Sequence, residues 1–218
     1  MQPQSSPVSP APDSAEQPVP PRLSGVREPL SANLDAAFVD GANLDDSYLV
    51  QRARVGSTEA FEVLVHRYRD RVFRVALRMV GDRASAEDVA QDALVSAWRA
   101  LPSFKGEAQF STWLHRIVLN SALNHVTRRR QHTELTGQEP IDPADQPEQA
   151  VESRHREKAL RAAISELPFD QRAPLVMHQF EGYTYEQTAE ILQVNEATVR
   201  GRISRARRAL VESMQDWR

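Results

Sequence analysis

The strongest constraint on the fold is a pair of helix starts separated by a short break, between Thr184 and Leu210. Thr184 and Gln187 have the spacing of a capping box, in which the hydroxyl serves the backbone N–H three residues on and the amide reaches back. A helix therefore opens there. It carries Ala189, Ile191 and Leu192 inward and breaks at Gln193-Val194-Asn195. Asn195 is a good cap for a second helix, running from Glu196 to about Leu210. Ala189 is small where two crossing helices must approach, and Val199 and Ile203 supply the inward side of the second helix. Cap, turn and small residue agree on a helix-turn-helix. The outward side carries Arg200, Arg202, Arg205, Arg207 and Arg208 beside one acid, Glu196. Such a helix enters a DNA major groove with its first residues at base edges and its later ones at phosphates. The competing reading is a merely solvated, arginine-rich terminal helix.

No strand-like alternation longer than a few residues occurs elsewhere, so the chain is predicted to be all-α. From Asp45 the pattern is helical, and Phe61, Leu64, Tyr68, Val72, Val75 and Met79 recur at steps of three and four until Gly81-Asp82. Ser85, with Asp88 three residues on, reads as the cap of a second helix reaching about Leu101, before Pro102. After a loop from Ser103 to Gln109, Ser111 reads as the cap of a third, passing Trp113, Ile117 and Leu123 to Arg128-Arg129-Arg130. Helix resumes near Arg154 and stops at Leu167-Pro168. Another covers roughly 170–180, with Asp170 as its expected cap and Pro174 near its first turn, and ends at Gly182.

Composition divides the 218 residues. Residues 1–44 hold 8 of the 14 prolines and a single aromatic, Phe38, so they form an expected disordered tail. Residues 45–130 carry 14 basic and 10 acidic groups, residues 131–153 none and 6, and residues 154–218 11 and 9. Two basic helical domains separated by an acidic flexible linker suit a chain whose modules meet a polyanion while the spacer avoids it. Arginine provides 25 of the 27 basic residues, which either a GC-rich coding bias or selection for phosphate and base recognition explains. The absence of cysteine excludes a disulfide scaffold, a thiolate metal site and a cysteine nucleophile. No apolar run approaches the ~20 residues of a membrane span, and no secretory signal pattern opens the chain, so no membrane insertion and a cytoplasmic location are expected.

The residues then reach a resemblance. The run from Thr188 through Ile191, Asn195, Thr198, Arg200 and Arg205 to Arg207 resembles region four of the sigma-70 family, in its extracytoplasmic-function (ECF) subfamily. Ala86-Glu-Asp-Val-Ala-Gln-Asp-Ala-Leu-Val-Ser-Ala-Trp resembles that family's core-polymerase-binding helix. Phe110-Ser-Thr-Trp-Leu-His-Arg-Ile, with Asn120 to Arg130, resembles its promoter-melting and −10-reading segments. The likeness covers about 45–130 and 154–212, in order, without the region-three domain of larger members. Departures stand beside it. Gln193 occupies a turn position where the family usually has glycine, Ala197 replaces another, and Gly201 and Ser204 stand where larger side chains are common. The promoter sequence is therefore not transferable from relatives.

The resemblance implies an alternative sigma factor, a non-catalytic specificity subunit that joins core RNA polymerase and directs promoter-specific initiation, in a stress or envelope response under an anti-sigma factor. It would be cytoplasmic, and at the nucleoid when bound to polymerase. Asp88, Gln91 and Asp92, with Val89 on the same helix, would dock on the clamp of the largest polymerase subunit, and region four on the flap of the second. Lys105, Gln109, Phe110, Trp113, Arg116, Asn120, Asn124 and Arg128 would serve the −10 element and melting. Aromatic and basic groups interleaved from Phe104 through His115 also suit stacking on unpaired bases, although aromatics near a helix start commonly belong to the core. Tyr185, Thr188, Ala189, Glu196, Thr198, Val199, Arg200, Arg202, Ser204, Arg205 and Arg208 would form the −35 unit. The acidic linker would follow the polymerase's RNA path. Asp88 and Asp92 have no third ligand at a metal spacing, and the six histidines show none, so no cofactor or metal is expected. The alternative is a dimeric helix-turn-helix operator-binding regulator, for which the upstream sequence supplies no receiver or ligand pocket.

Overall fold

A computed structural model describes residues 45–136 and 151–214, and every regular element among them is helical. The order is α1 (Asp46–Arg54), α2 (Thr58–Val80), α3 (Arg83–Ala100), a 3-10 turn (Leu101–Ser103), α4 (Phe110–Thr136), α5 (Val151–Glu166), α6 (Phe169–Leu175), a π turn (Val176–Phe180), α7 (Tyr185–Leu192) and α8 (Glu196–Ser213). The expected tail 1–44 and residues 137–150 of the expected linker lie outside the described residues. At both edges of that linker the chain is helical, because α4 continues to Thr136 and α5 begins at Val151.

The expected stripe on α2 is the centre of the core: Leu64, Val72, Val75 and Met79 are at most 1% exposed. Ser57 caps this helix, its hydroxyl accepting from the Ala60 N–H at 3.2 Å. Gly81 closes it at φ +92°, where a Cβ would lie 2.9 Å from the Cβ of Ser165 on α5. Three expected caps move. Asp82, not Ser85, caps α3, and its carboxylate accepts from the Ser85 N–H at 2.8 Å. Helix α4 already includes Phe110, so Ser111 sits inside its first turn. Pro168 precedes α6, and Asp170 lies in that helix's first turn. In each case a polar residue of the first turn resembles a cap in sequence because both positions favour short oxygen-bearing side chains. Pro174 is followed by the widened π turn, in which the Glu181 N–H reaches the Val176 carbonyl.

One hydrophobic core joins α1–α4 to Ile164, Ala173, Val176, Met177, Tyr183 and Ile191 of the C-terminal half. A smaller one, built from Leu167, Leu175, Ala189, Val199, Ile203 and Ala206, holds the last two helices against α6. The two expected helical units are both present, and they pack on each other rather than standing apart.

Candidate nucleic-acid interface

The helix-turn-helix forms as its caps require. The Thr184 hydroxyl accepts from the Gln187 N–H at 3.1 Å, and the Gln187 side-chain Oε1 accepts from the Thr184 N–H at 2.9 Å. Gln193 takes the left-handed conformation, φ 55° and ψ 42°, and the Val194 N–H closes the turn on the Ala189 carbonyl. The Asn195 side chain then accepts from the Thr198 N–H and hydroxyl, each at 2.7 Å. Thr188, Ala189 and Val199 are buried and hold the two helices together. Arg200, Ser204, Arg205, Arg207 and Arg208 are exposed along α8. Arg202 instead turns toward Asp170 at 3.6 Å, and Arg207 donates to Gln179 at 2.9 Å. Arg200 donates from Nε to Glu196 at 2.8 Å and lies over the half-buried Tyr185 ring.

The second face belongs to α4 and the loop before it. Lys105 and Gln109 are exposed in the loop, and Asn120, Asn124 and Arg128 are exposed along one side of the helix. The aromatics turn inward. Phe110 is buried against Tyr68, Phe104 and Trp113, with ring centroids 5.4, 6.3 and 5.5 Å away. His115 is wholly buried. In this arrangement Phe110 and His115 have no face free for a base. On α3, Asp88, Gln91 and Asp92 are exposed, while Val89 belongs to the core side of the helix.

A polar seam that the sequence did not announce joins the two units. Glu181, its side chain 4% exposed, accepts from Arg71 Nε at 2.8 Å and Arg78 Nη1 at 3.4 Å. Its carbonyl also accepts from Arg71 at 3.0 Å. The Tyr183 hydroxyl lies 2.8 Å from His115 Nδ1. Burial, followed by the nearby charge of Arg71, lowers the His115 pKa to about 4, against a backbone hydrogen bond at Ser111. Buried Arg172 donates to the carbonyls of Met79, Ser165 and Leu167, and burial pulls its pKa to about 10, still cationic at neutral pH. Arg116 spends its guanidinium on the carbonyls of Glu190 and Ile191, at 2.7 and 3.3 Å. These are end carbonyls of α7, where a cation is favoured. Arg116 and Asn120 thereby face Gln193 and Arg202 across a cleft of about 190 Å³. The polar side of α4 and the turn of the helix-turn-helix look at each other.

Among the described residues no group of histidine, aspartate and glutamate side chains is placed to hold a metal, and no helix is long and apolar enough to cross a membrane.

Comparison with known proteins gives two family matches in chain order, Sigma-70 region 2 over residues 64–132 and Sigma-70, region 4 over residues 157–210. The RNA polymerase sigma-H factor of Pseudomonas aeruginosa is 36% identical over 181 residues, covering 78% of this chain and 94% of the relative. The ECF RNA polymerase sigma-E factor of Escherichia coli K12 is 32% identical, covering 79% and 95%. Among solved structures, CnrH in complex with the cytosolic domain of CnrY superposes with a TM-score of 0.59 at 27% identity, covering 78% of this chain and 97% of that one. The sigma factor RpoE of Bartonella quintana, solved with the anti-sigma factor NepR, shares the fold with a TM-score of 0.62 at 24% identity, covering 72% and 98%.

Proposed function

Since this chain belongs to the ECF subfamily of the sigma-70 family, we propose that it is an alternative sigma factor using two separate readers, α4 at the −10 element and α8 at the −35 element. It binds core RNA polymerase and directs promoter-specific initiation, and it acts by binding alone. The observation that carries the assignment of roles is the pairing, in one chain, of a capped helix-turn-helix with exposed arginines and a second exposed polar face on α4. Arg200, Ser204 and Arg205 are exposed where base edges lie, and Arg208 farther along where phosphates lie. Lys105, Gln109, Asn120, Asn124 and Arg128 serve the −10 strand. The exposed amide and carboxylates of Gln91, Asp88 and Asp92 dock on the polymerase clamp, and the helix-turn-helix unit docks on the flap.

The shared core adds a step. With Arg116 on the carbonyls of α7, and Asn120 in the same cleft as Gln193, the two readers sit side by side, whereas the two DNA elements they read are apart. The described arrangement is therefore the resting one, and core polymerase parts the units. An anti-sigma factor that favours the closed arrangement belongs to the same reading.

The test is reconstitution with core polymerase. The wild-type chain is expected to co-purify with core and yield promoter-dependent transcripts. Joint Asp88→Arg and Asp92→Arg is expected to weaken core binding at least tenfold while keeping helical content, because reversed charges at a docking face repel. Unchanged affinity would overturn the docking assignment. DNA binding by the free chain, with no transcripts in the presence of core, would favour the operator-binding reading.

A further inference from the structure

Three flat groups from three elements meet at the entrance of α8. The His178 ring, on the π turn, stacks on Tyr185, the first residue of α7, with centroids 4.1 Å apart and planes 25° from parallel. The guanidinium carbon of Arg200 lies 4.2 Å from the same Tyr185 centroid. Two groups this close to one ring centre exclude each other from a single face, so Tyr185 is sandwiched between them. Each outer layer has its own anchor. His178 Nδ1 donates to the Tyr183 carbonyl at 2.7 Å, which fixes its tautomer and its plane. Arg200 Nε donates to Glu196 at 2.8 Å, and Nη2 reaches the same carboxylate oxygen. Yet the Arg200 side chain keeps 59% of its surface in solvent. It is held, and it remains available.

That combination has a chemical consequence. An arginine reads a guanine edge with two parallel N–H donors, which requires its plane to be set before contact. A free arginine also serves as an unspecific phosphate clamp, and pairing with Glu196 cancels that charge. Resting on the −35 assignment above, we propose that Tyr185 and His178 are positioning residues for base recognition. Their stack holds the Arg200 guanidinium in the plane from which it reads one −35 base pair. Glu196 is the second anchor and offers an acceptor to a neighbouring cytosine amino group. The stack sets base preference rather than overall DNA affinity.

The experiment measures holoenzyme affinity for promoters carrying each of the four base pairs at every −35 position, with the wild-type chain, Tyr185→Leu, Tyr185→Phe, His178→Leu and His178→Phe. The readout is the ratio of affinities for the preferred and the other base pairs. A smaller folded fraction lowers both affinities alike and cancels in that ratio. Tyr185→Leu is expected to reduce discrimination at one position about fivefold, the value of a cation–π contact near 1 kcal/mol. Tyr185→Phe, which retains the aromatic face, rescues it. His178→Leu gives a smaller loss at the same position, and His178→Phe, which keeps the flat layer without its Tyr183 hydrogen bond, recovers part of it. Loss spread evenly over all positions, or Tyr185→Leu with the wild-type ratio, overturns the positioning role while leaving the −35 assignment standing. A wild-type holoenzyme with no −35 preference overturns both.

Discussion

Arg200 and Arg208 leave the same helix under different constraints. Arg200 is anchored by Glu196 and Tyr185 near the helix start, whereas Arg208 is exposed two turns later. Losing a base contact costs about 1–3 kcal/mol at one position, whereas losing a phosphate contact weakens every sequence alike and lowers the salt slope by about one. Arg200→Ala is therefore expected to change the bases selected from a randomised −35 library. Arg208→Ala is expected to weaken binding with no change of preference. The reverse pattern would mean that α8 lies the other way in the groove. A second residue-scale outcome concerns His115. Its folded pKa of about 4 lies below the ordinary 6.5 because burial and Arg71 disfavour the cation. The group's contribution is thus complete above about pH 6.5 and is lost as pH falls toward 4, by up to about 3 kcal/mol. Melting curves from pH 7 to 4.5 are expected to show a smaller decline for His115→Gln than for the wild-type chain, and equal declines would contradict this. The arginine face was legible because arginines on an otherwise apolar period stand out. Burial of His115 was not, because its partners Tyr183 and Arg71 are distant in sequence.

At the scale of the element, the turn between α7 and α8 carries a local cost. Gln193 is, among the described residues, the one non-glycine with positive φ. A side chain in the left-handed region costs roughly 1–2 kcal/mol, offset in part by glycine's larger unfolded-state entropy. Gln193→Gly is expected to stabilise the chain by about 0.5–1 kcal/mol in denaturant unfolding; a loss of stability would mean that the glutamine side chain makes contacts worth more than the strain. This conformation follows from the helix-turn-helix pattern, since a residue must turn left before Asn195 can cap. The Thr184 and Asn195 caps were legible for the same reason, each having its partner three residues on. Ser85, Ser111 and Asp170 resemble caps in sequence because a first-turn polar residue and a cap share composition, and only the backbone separates them. The break at Val55–Ser57 between α1 and α2 also escaped the periodicity, since the short helix is itself amphipathic.

For the whole molecule, periodicity predicted two helical units and nothing predicted their contact. The seam is made by side chains far apart in sequence: Arg71 and Glu181 are separated by 110 positions, His115 and Tyr183 by 68. Each looks in sequence like an ordinary polar residue on an amphipathic helix. A protein that reads two separated promoter elements must exchange this seam for contacts with polymerase and DNA. In the proposed cycle the resting chain holds its two readers against each other, and engagement parts them. Because the chain has no cysteine, Arg74→Cys on α2 and Gln179→Cys on the π turn, both exposed and flanking the Arg71–Glu181 contact, accept spin labels without competing sites. The distance distribution is measured by pulsed electron resonance for the free chain, for Glu181→Ala, and for the complex with core polymerase and promoter DNA. One short distance is expected in the free chain, and a part-shifted distribution in Glu181→Ala. The polymerase–promoter complex that supports transcription is expected to give a separate, longer distance. An unchanged short distance in that transcribing complex would contradict the proposed cycle.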